Sequence, residues 1–453
     1  MNPRITVIGT GYLGTTHAAC MAELGFEVLG VDVDPQKIEL LSTGKLPFYE
    51  PELAELVERN VAAGRLRFTA SHREAADFGD VHFLCVGTPQ RDDSAAADLR
   101  YLYAAADALA PHLHRPCLVV GKSTVPVGTA ARLAPRLQSR APAGAGVELA
   151  WNPEFLREGY AVADTLRPDR LVFGVATPAA ERTLRRVYQE VISAGTPVVV
   201  TDIATAELTK ASANAFLATK ISFINAIAEV CDAAGADVVQ LAQALSYDAR
   251  IGGRFLQAGA GFGGGCLPKD LRALRARAAE LGVDHALRFL GEVDEINSRC
   301  RERLVELARQ ECGGVLAGRR ICVLGAAFKP HSDDVRDSPA LAVAAALERE
   351  GCRVTVYDPK ANDNARKQFP TLEYALSAPE AALGADLLLH LTDWPEFRDA
   401  DPAWFSGQVA QRVIVDGRNT LDPARWRAAG WRYRALGRPR PGAATAAAEG
   451  VAA

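Results

Sequence analysis

The feature that most constrains the fold is a glycine pattern close to the start of the chain. An apolar run from Ile5 leads into Gly9-Thr10-Gly11-Tyr12-Leu13-Gly14, and a helical pattern then continues to Gly25. A second apolar run ends at Asp32. This order of strand, GxGxxG, helix, strand and acidic residue is typical of a dinucleotide-binding βαβ unit and predicts a parallel sheet.

The chemistry of these residues indicates which dinucleotide is bound. Gly9, Gly11 and Gly14 permit a tight turn and a close approach of the pyrophosphate, which would face the N-terminus of the following helix. Asp32 can accept hydrogen bonds from a ribose 2′-hydroxyl and would repel a 2′-phosphate. We therefore expect NAD rather than NADP.

The alternation of strands and helices continues and places polar residues after the strands. Buried-looking strands near 81–86 and 118–121 precede Thr88 and Thr124. In an open parallel sheet, ligands bind at the carboxyl ends of strands, so both threonines are candidate contacts; the alternative is that they cap helices. A sixth strand precedes Glu154 and Glu158, which either flank a site or are solvated loop charges.

Residues 205–234 contain neither proline nor glycine and predict one helix of about 30 residues. Lys210, Asn214 and Asn225 share one face of this helix. Burying a lysine and an asparagine is costly unless they have partners, so they are either structural or part of a site. A helix of this length suggests a spine between domains and a dimer interface.

A second glycine-rich stretch carries the strongest candidate for chemistry. It reads Gly261-Phe262-Gly263-Gly264-Gly265-Cys266-Leu267-Pro268-Lys269-Asp270. A cysteine with a lysine nearby has the setting of an activated nucleophile, and Asp270 could hold or activate a water. The alternative is a glycine loop before a helix, with an inert cysteine.

In the second half of the chain, another strand–loop–helix unit begins with the strand at Arg320 to Gly325. Its loop lacks the GxGxxG pattern. Such a unit suits a nucleotide other than NAD. Lys329 and Arg418 follow strands there and either hold a pyrophosphate or are ordinary surface cations.

These patterns predict an α/β protein with two Rossmann-like domains, each with a parallel sheet, joined by the long central helix. The expected divisions are an NAD-binding domain at 1–202, a central helical domain carrying the cysteine loop at 203–310, and a second Rossmann-like domain at 311–437. Residues 438–453 are rich in proline, glycine and alanine, and we expect them to be disordered.

Composition excludes several other classes of protein. The 453 residues carry a formal charge of −4 without a long basic run, which argues against nucleic acid, and no apolar run is long enough to span a membrane. A strand is predicted almost from the first residue, so we expect no signal peptide. Nine scattered cysteines and eight histidines show no metal-ligand spacing, so we expect reduced thiols, a cytoplasmic location and no metal.

Taken in order, nine motifs resemble the UDP-glucose/GDP-mannose dehydrogenase family across about residues 4 to 420. The motifs are Gly9 to Gly14, Tyr49 to Leu53, Gly87 to Pro89, Lys122 to Gly128, Asn152 to Gly159, Lys210 with Asn214, Arg250 to Gly252, Gly261 to Asp270 and Phe328 to Pro339.

The resemblance implies a four-electron oxidation of a primary alcohol to a carboxylate, with two NAD and one water. Cys266 would be the nucleophile that captures the aldehyde, and Lys210 and Asn214 would stabilise the oxyanion. Asp270, Thr124 and Glu154 would hold the water and share proton transfer. The base for the first step is left open among Asp270, Glu154 and Lys210.

The resemblance also implies binding residues and an assembly. Besides the glycine turn with Tyr12 and Leu13, the expected NAD contacts are Asp32, Lys37, Thr88, Thr124, Glu158, Lys269 and Arg336. The expected contacts with the sugar nucleotide are Glu154, Phe155, Leu156, Lys210, Asn214, Arg250, Phe255, Leu256, Gln257, Ala258, Gly259, Gly263, Lys329 and Arg418. The arginine matching Arg250 can reach a neighbouring subunit's substrate in this family, so a homodimer is implied.

Within the family the motifs favour oxidation of UDP-glucose to UDP-glucuronate. The alternatives within the family are oxidation of GDP-mannose by the same chemistry and, less favoured, oxidation of UDP-N-acetylmannosamine. Outside it they are a one-step hydroxy-acid dehydrogenase of similar architecture, which would not need Cys266, and a catalytically silent nucleotide-sugar sensor.

Overall fold

The computed structural model describes residues 2–439, so the tail expected at 438–453 lies almost wholly outside the described residues. The described residues form two compact units. Within residues 2–439, the first unit comprises 2–213 and 272–284, and the second comprises 214–271 and 285–439. The three-domain division expected from sequence stays a prediction.

The first unit is built on an eight-stranded sheet in the order β3-β2-β1-β4-β5-β6-β7-β8. Its strands are β1 (Ile5–Ile8), β2 (Val28–Val31), β3 (Leu66–Thr69), β4 (Val81–Leu84), β5 (Cys117–Gly121), β6 (Val147–Trp151), β7 (Leu171–Gly174) and β8 (Val198–Thr201). All neighbouring pairs are parallel except β6 and β7, which meet antiparallel at Trp151 and Gly174. The expected parallel sheet is therefore confirmed, with one reversed pairing.

Apolar residues on both faces of these strands explain why helices cover the sheet on two sides. Ile5 and Val7 pack into one core cluster, whereas Ile8 and Val31 pack into another. A sheet that is buried on both faces needs near-continuous apolar strands, which is the pattern in β1 and β4.

The helices of the first unit connect successive strands. They are α1 (Tyr12–Glu23), α2 (Pro35–Ser42), α3 (Leu53–Ala62), α4 (His72–Phe78), α5 (Arg100–Leu109), α6 (Thr129–Arg140), α7 (Ala161–Leu166), α8 (Pro178–Val187) and α9 (Gln189–Ser193). Capping side chains fix several starts: Asp34 accepts the N–H groups of Gln36 and Lys37 at the start of α2, and Thr177 accepts that of Ala180 in α8.

The long helix predicted from sequence is present as α10 (Ile203–Ala234). It is followed by α11 (Val238–Ser246), α12 (Leu267–Glu280) and α13 (Phe289–Glu311). In the second unit the apolar face of α10 packs Ile224, Ala228 and Cys231 against Val238 and Leu256. The segment that precedes the cysteine loop is therefore anchored to this helix.

The second unit contains a six-stranded parallel sheet in the order β11-β10-β9-β12-β13-β14. Its strands are β9 (Arg320–Leu324), β10 (Arg353–Tyr357), β11 (Glu373–Tyr374), β12 (Leu387–His390), β13 (Val413–Asp416) and β14 (Arg432–Ala435). The accompanying helices are α14 (Pro339–Arg349), α15 (Asn362–Gln368), α16 (Ala378–Ala381), α17 (Pro395–Arg398), α18 (Pro402–Ser406) and α19 (Pro423–Ala428). Within residues 2–439, no helix is both long and apolar enough to cross a membrane.

Candidate active site

The glycine turn between β1 and α1 is shaped for a ligand at the helix N-terminus. Gly9 has a φ of +92°, and a Cβ at Gly14 would lie 1.8 Å from the Gly9 carbonyl oxygen. A Cβ at Gly11, by contrast, would meet no atom of residues 2–439 within 4 Å. Gly14 is therefore required by packing, whereas Gly11 keeps open the space in front of the helix, which fits a pyrophosphate.

Asp32 lies at the end of β2 and is 8% exposed. Its Oδ2 accepts hydrogen bonds from the Thr10 N–H and hydroxyl, both at 2.9 Å, and from Lys37 Nζ at 3.0 Å. Burial alone would raise the pKa of Asp32, but the donors from Lys37, Thr10 and the Asp34 N–H hold it below its ordinary value. An ionised acceptor at this position fits the ribose hydroxyls of NAD.

A buried carboxylate joins the start of α1 to the loop after β6. Glu50 accepts hydrogen bonds from the N–H groups of Gly159 at 2.6 Å and Ala161 at 2.7 Å, and from the Tyr12 hydroxyl. Burial, with the charge of Glu50 next, raises the pKa of Tyr12. Glu50 therefore holds Tyr12 beside the loop that carries Glu154 and Glu158.

Glu154 has a buried cation beside it. Lys122 Nζ donates to Asn152 Oδ1 at 3.0 Å and to the Tyr188 hydroxyl at 3.3 Å, and it lies 3.6 Å from Glu154 Oε2. Burial would lower the pKa of Lys122, but the neighbouring Tyr188 and Glu154 raise it. The Tyr188 hydroxyl donates to Asn152 at 2.6 Å and completes the network. Lys122 belongs to one of the family motifs, but the sequence alone predicts no role for it.

Several other predicted residues meet in the first unit. Lys210 Nζ lies 5.4 Å from the centroid of the Phe155 ring, and the guanidinium carbon of Arg170 lies 3.8 Å from the same centroid. The Thr88 hydroxyl donates to the Thr124 carbonyl at 2.7 Å, which joins the loops after β4 and β5. Arg170 was not found from sequence, because its neighbourhood contains no recognisable motif.

In the second unit, Cys266 is exposed and stands immediately before α12. Asp270, one turn into that helix and 3% exposed, accepts a hydrogen bond from Asn214 Nδ2 at 2.7 Å and from Lys269 Nζ at 2.5 Å. A helix N-terminus favours the thiolate form of a cysteine placed there. The structure thus places an exposed cysteine one helical turn before Asp270, which the Asn214 amide and the Lys269 ammonium group both contact.

Three cationic residues that are predicted ligand contacts have neighbours within the second unit. Arg336 pairs with Asp334, and a side chain at Gly265 would overlap its guanidinium. Arg250 is 89% exposed and pairs with Asp248. Lys329 Nζ lies 5.4 Å from the centroid of the preceding phenylalanine ring.

Arg418, which we expect to contact the sugar nucleotide, has main-chain partners in the structure. Its guanidinium donates to three main-chain carbonyls, those of Leu391 at 2.6 Å, Gly261 at 3.1 Å and Phe328 at 3.1 Å. These bonds join the end of β12, the cysteine loop and the loop after β9.

The predicted substrate segment before the cysteine loop is largely buried. Leu256 and Ala258 lie in the core against α10, the Gly259 N–H donates to Asn225 Oδ1 at 2.8 Å, and Phe255 has a φ of +66°. Gln257 donates to the Arg418 carbonyl at 3.2 Å. Peptide groups of this segment are therefore fixed by neighbouring side chains.

The predicted site residues divide between the two units. The first unit contains Gly9, Gly11, Tyr12, Leu13, Gly14, Asp32, Lys37, Thr88, Thr124, Glu154, Phe155, Leu156, Glu158 and Lys210. The second contains Asn214, Arg250, Phe255, Leu256, Gln257, Ala258, Gly259, Gly263, Cys266, Lys269, Asp270, Lys329, Arg336 and Arg418. Among residues 2–439, no cluster of three or more histidine, cysteine or acidic side chains could hold a metal ion.

The doubly wound sheet, its glycine turn and Asp32 define a dinucleotide-binding α/β protein. Three successive segments match family models: the NAD binding domain at residues 3–192, the central domain at 204–299 and the UDP binding domain at 322–423. The chain belongs to the UDP-glucose/GDP-mannose dehydrogenase family. It is an NAD-dependent oxidoreductase, as the sequence predicted.

Individual relatives cover nearly the whole chain. A UDP-glucose 6-dehydrogenase from Rhizobium meliloti is 42% identical over 96% of this chain and 100% of its own length. One from Pseudomonas aeruginosa is 40% identical over 98% of this chain and 100% of its own length. The structure of a UDP-glucose dehydrogenase from Pyrobaculum islandicum, 36% identical, superposes with a TM-score of 0.88 over 97% of this chain and 98% of that one.

Proposed function

We propose that this chain oxidises UDP-glucose to UDP-glucuronate, using two NAD and one water. The observation that carries the proposal is the exposed Cys266 immediately before α12, one turn before Asp270 with its contacts to Asn214 and Lys269. The match to a UDP binding domain and the names of the relatives support the choice of sugar nucleotide.

The demand for a cysteine follows from the chemistry of the second oxidation. NAD, when bound at the glycine turn, accepts two electrons in each oxidation. The first converts the primary alcohol to an aldehyde, which offers no second pair of electrons until a nucleophile adds to it. The Cys266 sulfur adds to the carbonyl carbon to give a thiohemiacetal, and the second oxidation gives a thioester. Water then cleaves the carbon–sulfur bond, which releases the carboxylate and restores the thiol.

The neighbouring groups have roles that suit their chemistry. Asn214 and Lys210, one helical turn apart on α10, are donors for the oxyanion that forms when sulfur adds to the aldehyde. Asp270 and Glu154 are acceptors that can orient water and take its proton, and Thr124 supplies a further polar contact. The base for the first step is one of Asp270, Glu154 and Lys210.

Substrate class is tested by initial rates of NADH formation with UDP-glucose and GDP-mannose at equal concentrations. We expect turnover with UDP-glucose and a rate with GDP-mannose lower by about a hundredfold or more. Comparable rates, or turnover with GDP-mannose alone, would move the assignment to that substrate.

The role of Cys266 is tested with Cys266→Ala. The variant should lose nearly all formation of UDP-glucuronate while still binding UDP. A one-step hydroxy-acid dehydrogenase would keep its activity in this variant, so full activity would favour that class instead. Binding of UDP-glucose by the wild-type protein without any turnover would identify a sensor.

The proposal includes a homodimer in the cytoplasm. On α10, Phe216, Phe223 and Val230 recur every seven residues and are 66%, 50% and 60% exposed. Large apolar side chains that are exposed in a stripe with heptad spacing are typical of a protein–protein interface. Seven cysteines are buried and dispersed, which supports a reducing compartment.

A further inference from the structure

The five residues 258–262, which we call the pre-cysteine segment, lie four to eight positions before Cys266. Within the described chain this segment has neither helix nor strand, yet all five residues are buried. Buried peptide groups need hydrogen-bond partners, and here secondary structure does not supply them. Other elements of the second unit must therefore satisfy the segment.

One side of the pre-cysteine segment docks on the loop after β13. The Ala260 N–H donates to the Gly417 carbonyl at 2.7 Å. Arg418 donates to the Gly261 carbonyl at 3.1 Å, and Asn419 Nδ2 donates to the Ala258 carbonyl at 3.2 Å. Three consecutive residues of this loop thus hold three positions of the segment.

The other side is held by Asn297 from α13, which is 2% exposed. Its Oδ1 accepts the Phe262 N–H at 2.7 Å, and its Nδ2 donates to the Phe262 carbonyl at 3.0 Å. Gly261 has a φ of +86°, and a Cβ there would lie 2.3 Å from Asn297 Oδ1. The Asn297 amide therefore binds both the N–H and the carbonyl of Phe262. The preceding residue, Gly261, leaves room for this amide because it has no Cβ.

We propose that Asn297 is a positioning residue for the Cys266 nucleophile. It acts through Phe262: by fixing both backbone groups of that residue, it fixes the path of the chain through Gly263 to Gly265 and thus the thiol at the start of α12. The inference rests on the proposed function, because it assigns the purpose of this contact to covalent capture of the aldehyde.

A purely structural asparagine would stabilise the fold without a selective effect on chemistry. The two roles are separated by comparing kcat with the affinity for UDP. Misplacing a nucleophile by about 1 Å can lower the rate a hundredfold. UDP lacks the glucose that reacts with Cys266, so its affinity does not depend on the position of the thiol. Residues 255–259, which we expect to bind UDP, keep their contacts with Asn225 and the β13 loop when Asn297 is replaced.

The test uses Asn297→Leu, which keeps a similar volume and removes both of the Asn297 hydrogen bonds to Phe262, leaving only the longer contact from Arg301 Nη2 to the Phe262 carbonyl at 3.4 Å. Ser222→Ala is the matched control, because the Ser222 hydroxyl makes a buried bond to the Val293 carbonyl of the same α13 at 2.7 Å without touching the segment. We expect kcat to fall about 10–100-fold in Asn297→Leu, and by less than about twofold in the control. The dissociation constant of UDP should stay within about threefold of the wild-type value in both.

Amide hydrogen exchange over residues 259–265 reports on the segment without turnover. In Asn297→Leu this region should exchange about tenfold faster or more, and in Ser222→Ala at the wild-type rate. If the wild-type protein does not oxidise UDP-glucose, the proposed function is wrong. If amide exchange in Asn297→Leu is unchanged, Asn297 does not order this segment and the positioning role is wrong.

A second variant guards against misfolding. Asn419→Gly keeps the φ of +57° accessible and removes the bonds to the Ala258 and Leu436 carbonyls, so kcat should fall in the same direction, by about threefold or more. Unchanged kcat in both variants would overturn the proposal, as would a loss of kcat in Asn297→Leu that is matched by an equal loss of UDP affinity in that variant.

Discussion

At the scale of single residues, the most consequential buried charge of the first unit is Lys122. Replacing it with methionine leaves Glu154 without its cation and removes a donor from Asn152 and Tyr188. Breaking a buried ion pair from one side costs about 3–5 kcal/mol, so Lys122→Met should lower the free energy of unfolding by that amount in urea titrations.

Tyr188→Phe is the matched control for this prediction, since it removes one hydroxyl from the same network and keeps the cation beside Glu154. It should cost about 1 kcal/mol. Equal losses in the two variants would show that the charge of Lys122 contributes little.

Asp32 gives a prediction for pH. Its folded-state pKa lies below its unfolded-state value of about 3.9, so its charged form stabilises the fold above that pH. This contribution is lost as the pH falls through the folded-state pKa. Asp32→Asn should therefore be less stable at neutral pH by about 1–2 kcal/mol, and its stability should change less between about pH 4 and 2. Parallel pH profiles of unfolding for variant and wild type would contradict this.

These residues also show what a sequence can and cannot disclose. Asp32 was found because the GxGxxG spacing and the strand place it by local rules alone. Asn297 and Arg170 were missed because their partners, Phe262 and Phe155, lie 35 and 15 positions away along the chain. No local sequence pattern predicts such contacts. Arg418 was recognised as important, but its bonds to three carbonyls depend on loops that the sequence does not bring together.

At the scale of elements, the β1–α1 turn offers a matched pair of glycines. Gly14→Ala would place a methyl group 1.8 Å from the Gly9 carbonyl oxygen, so the helix must shift, and the free energy of unfolding should fall by several kcal/mol. Gly11→Ala should change stability by less than about 1 kcal/mol but weaken NAD binding, because the methyl group occupies the ligand's space. Calorimetric titration with NAD and thermal unfolding of both variants check the contrast. Normal NAD binding by Gly11→Ala would place the pyrophosphate elsewhere.

The elements themselves were largely predictable, and the exceptions have a physical reason. The absence of proline and glycine predicted a helix at 205–234, and α10 begins two residues earlier. The antiparallel pairing of β6 and β7 was not predicted, because apolar periodicity reports that a strand is buried but not which way it runs.

At the scale of the whole molecule, the apolar stripe on α10 predicts self-association. Phe223→Glu puts a charge in the middle of this stripe, between Phe216 and Val230. Burying an unpaired carboxylate is costly, so the variant should be a monomer of about half the wild-type mass in light scattering, with little change in thermal stability of the chain. A wild-type monomer would remove the proposed dimer, and an unchanged dimer in Phe223→Glu would place the interface on another surface.

The sequence predicted that the two halves of the chain bind different nucleotides, because each half has its own local pattern. The first half contains the GxGxxG turn, and the second contains a strand–loop–helix unit without it. The family models match both halves as NAD and UDP binding domains. The boundaries of the three predicted domains stay a prediction.

The central claim is that one chain carries out both oxidations through Cys266, and the yield of NADH per molecule of limiting UDP-glucose tests it most directly. With NAD in excess and the reaction run to completion, the account predicts about two NADH for each UDP-glucose, with UDP-glucuronate as the product. One NADH per UDP-glucose, with aldehyde released, would contradict covalent capture by Cys266.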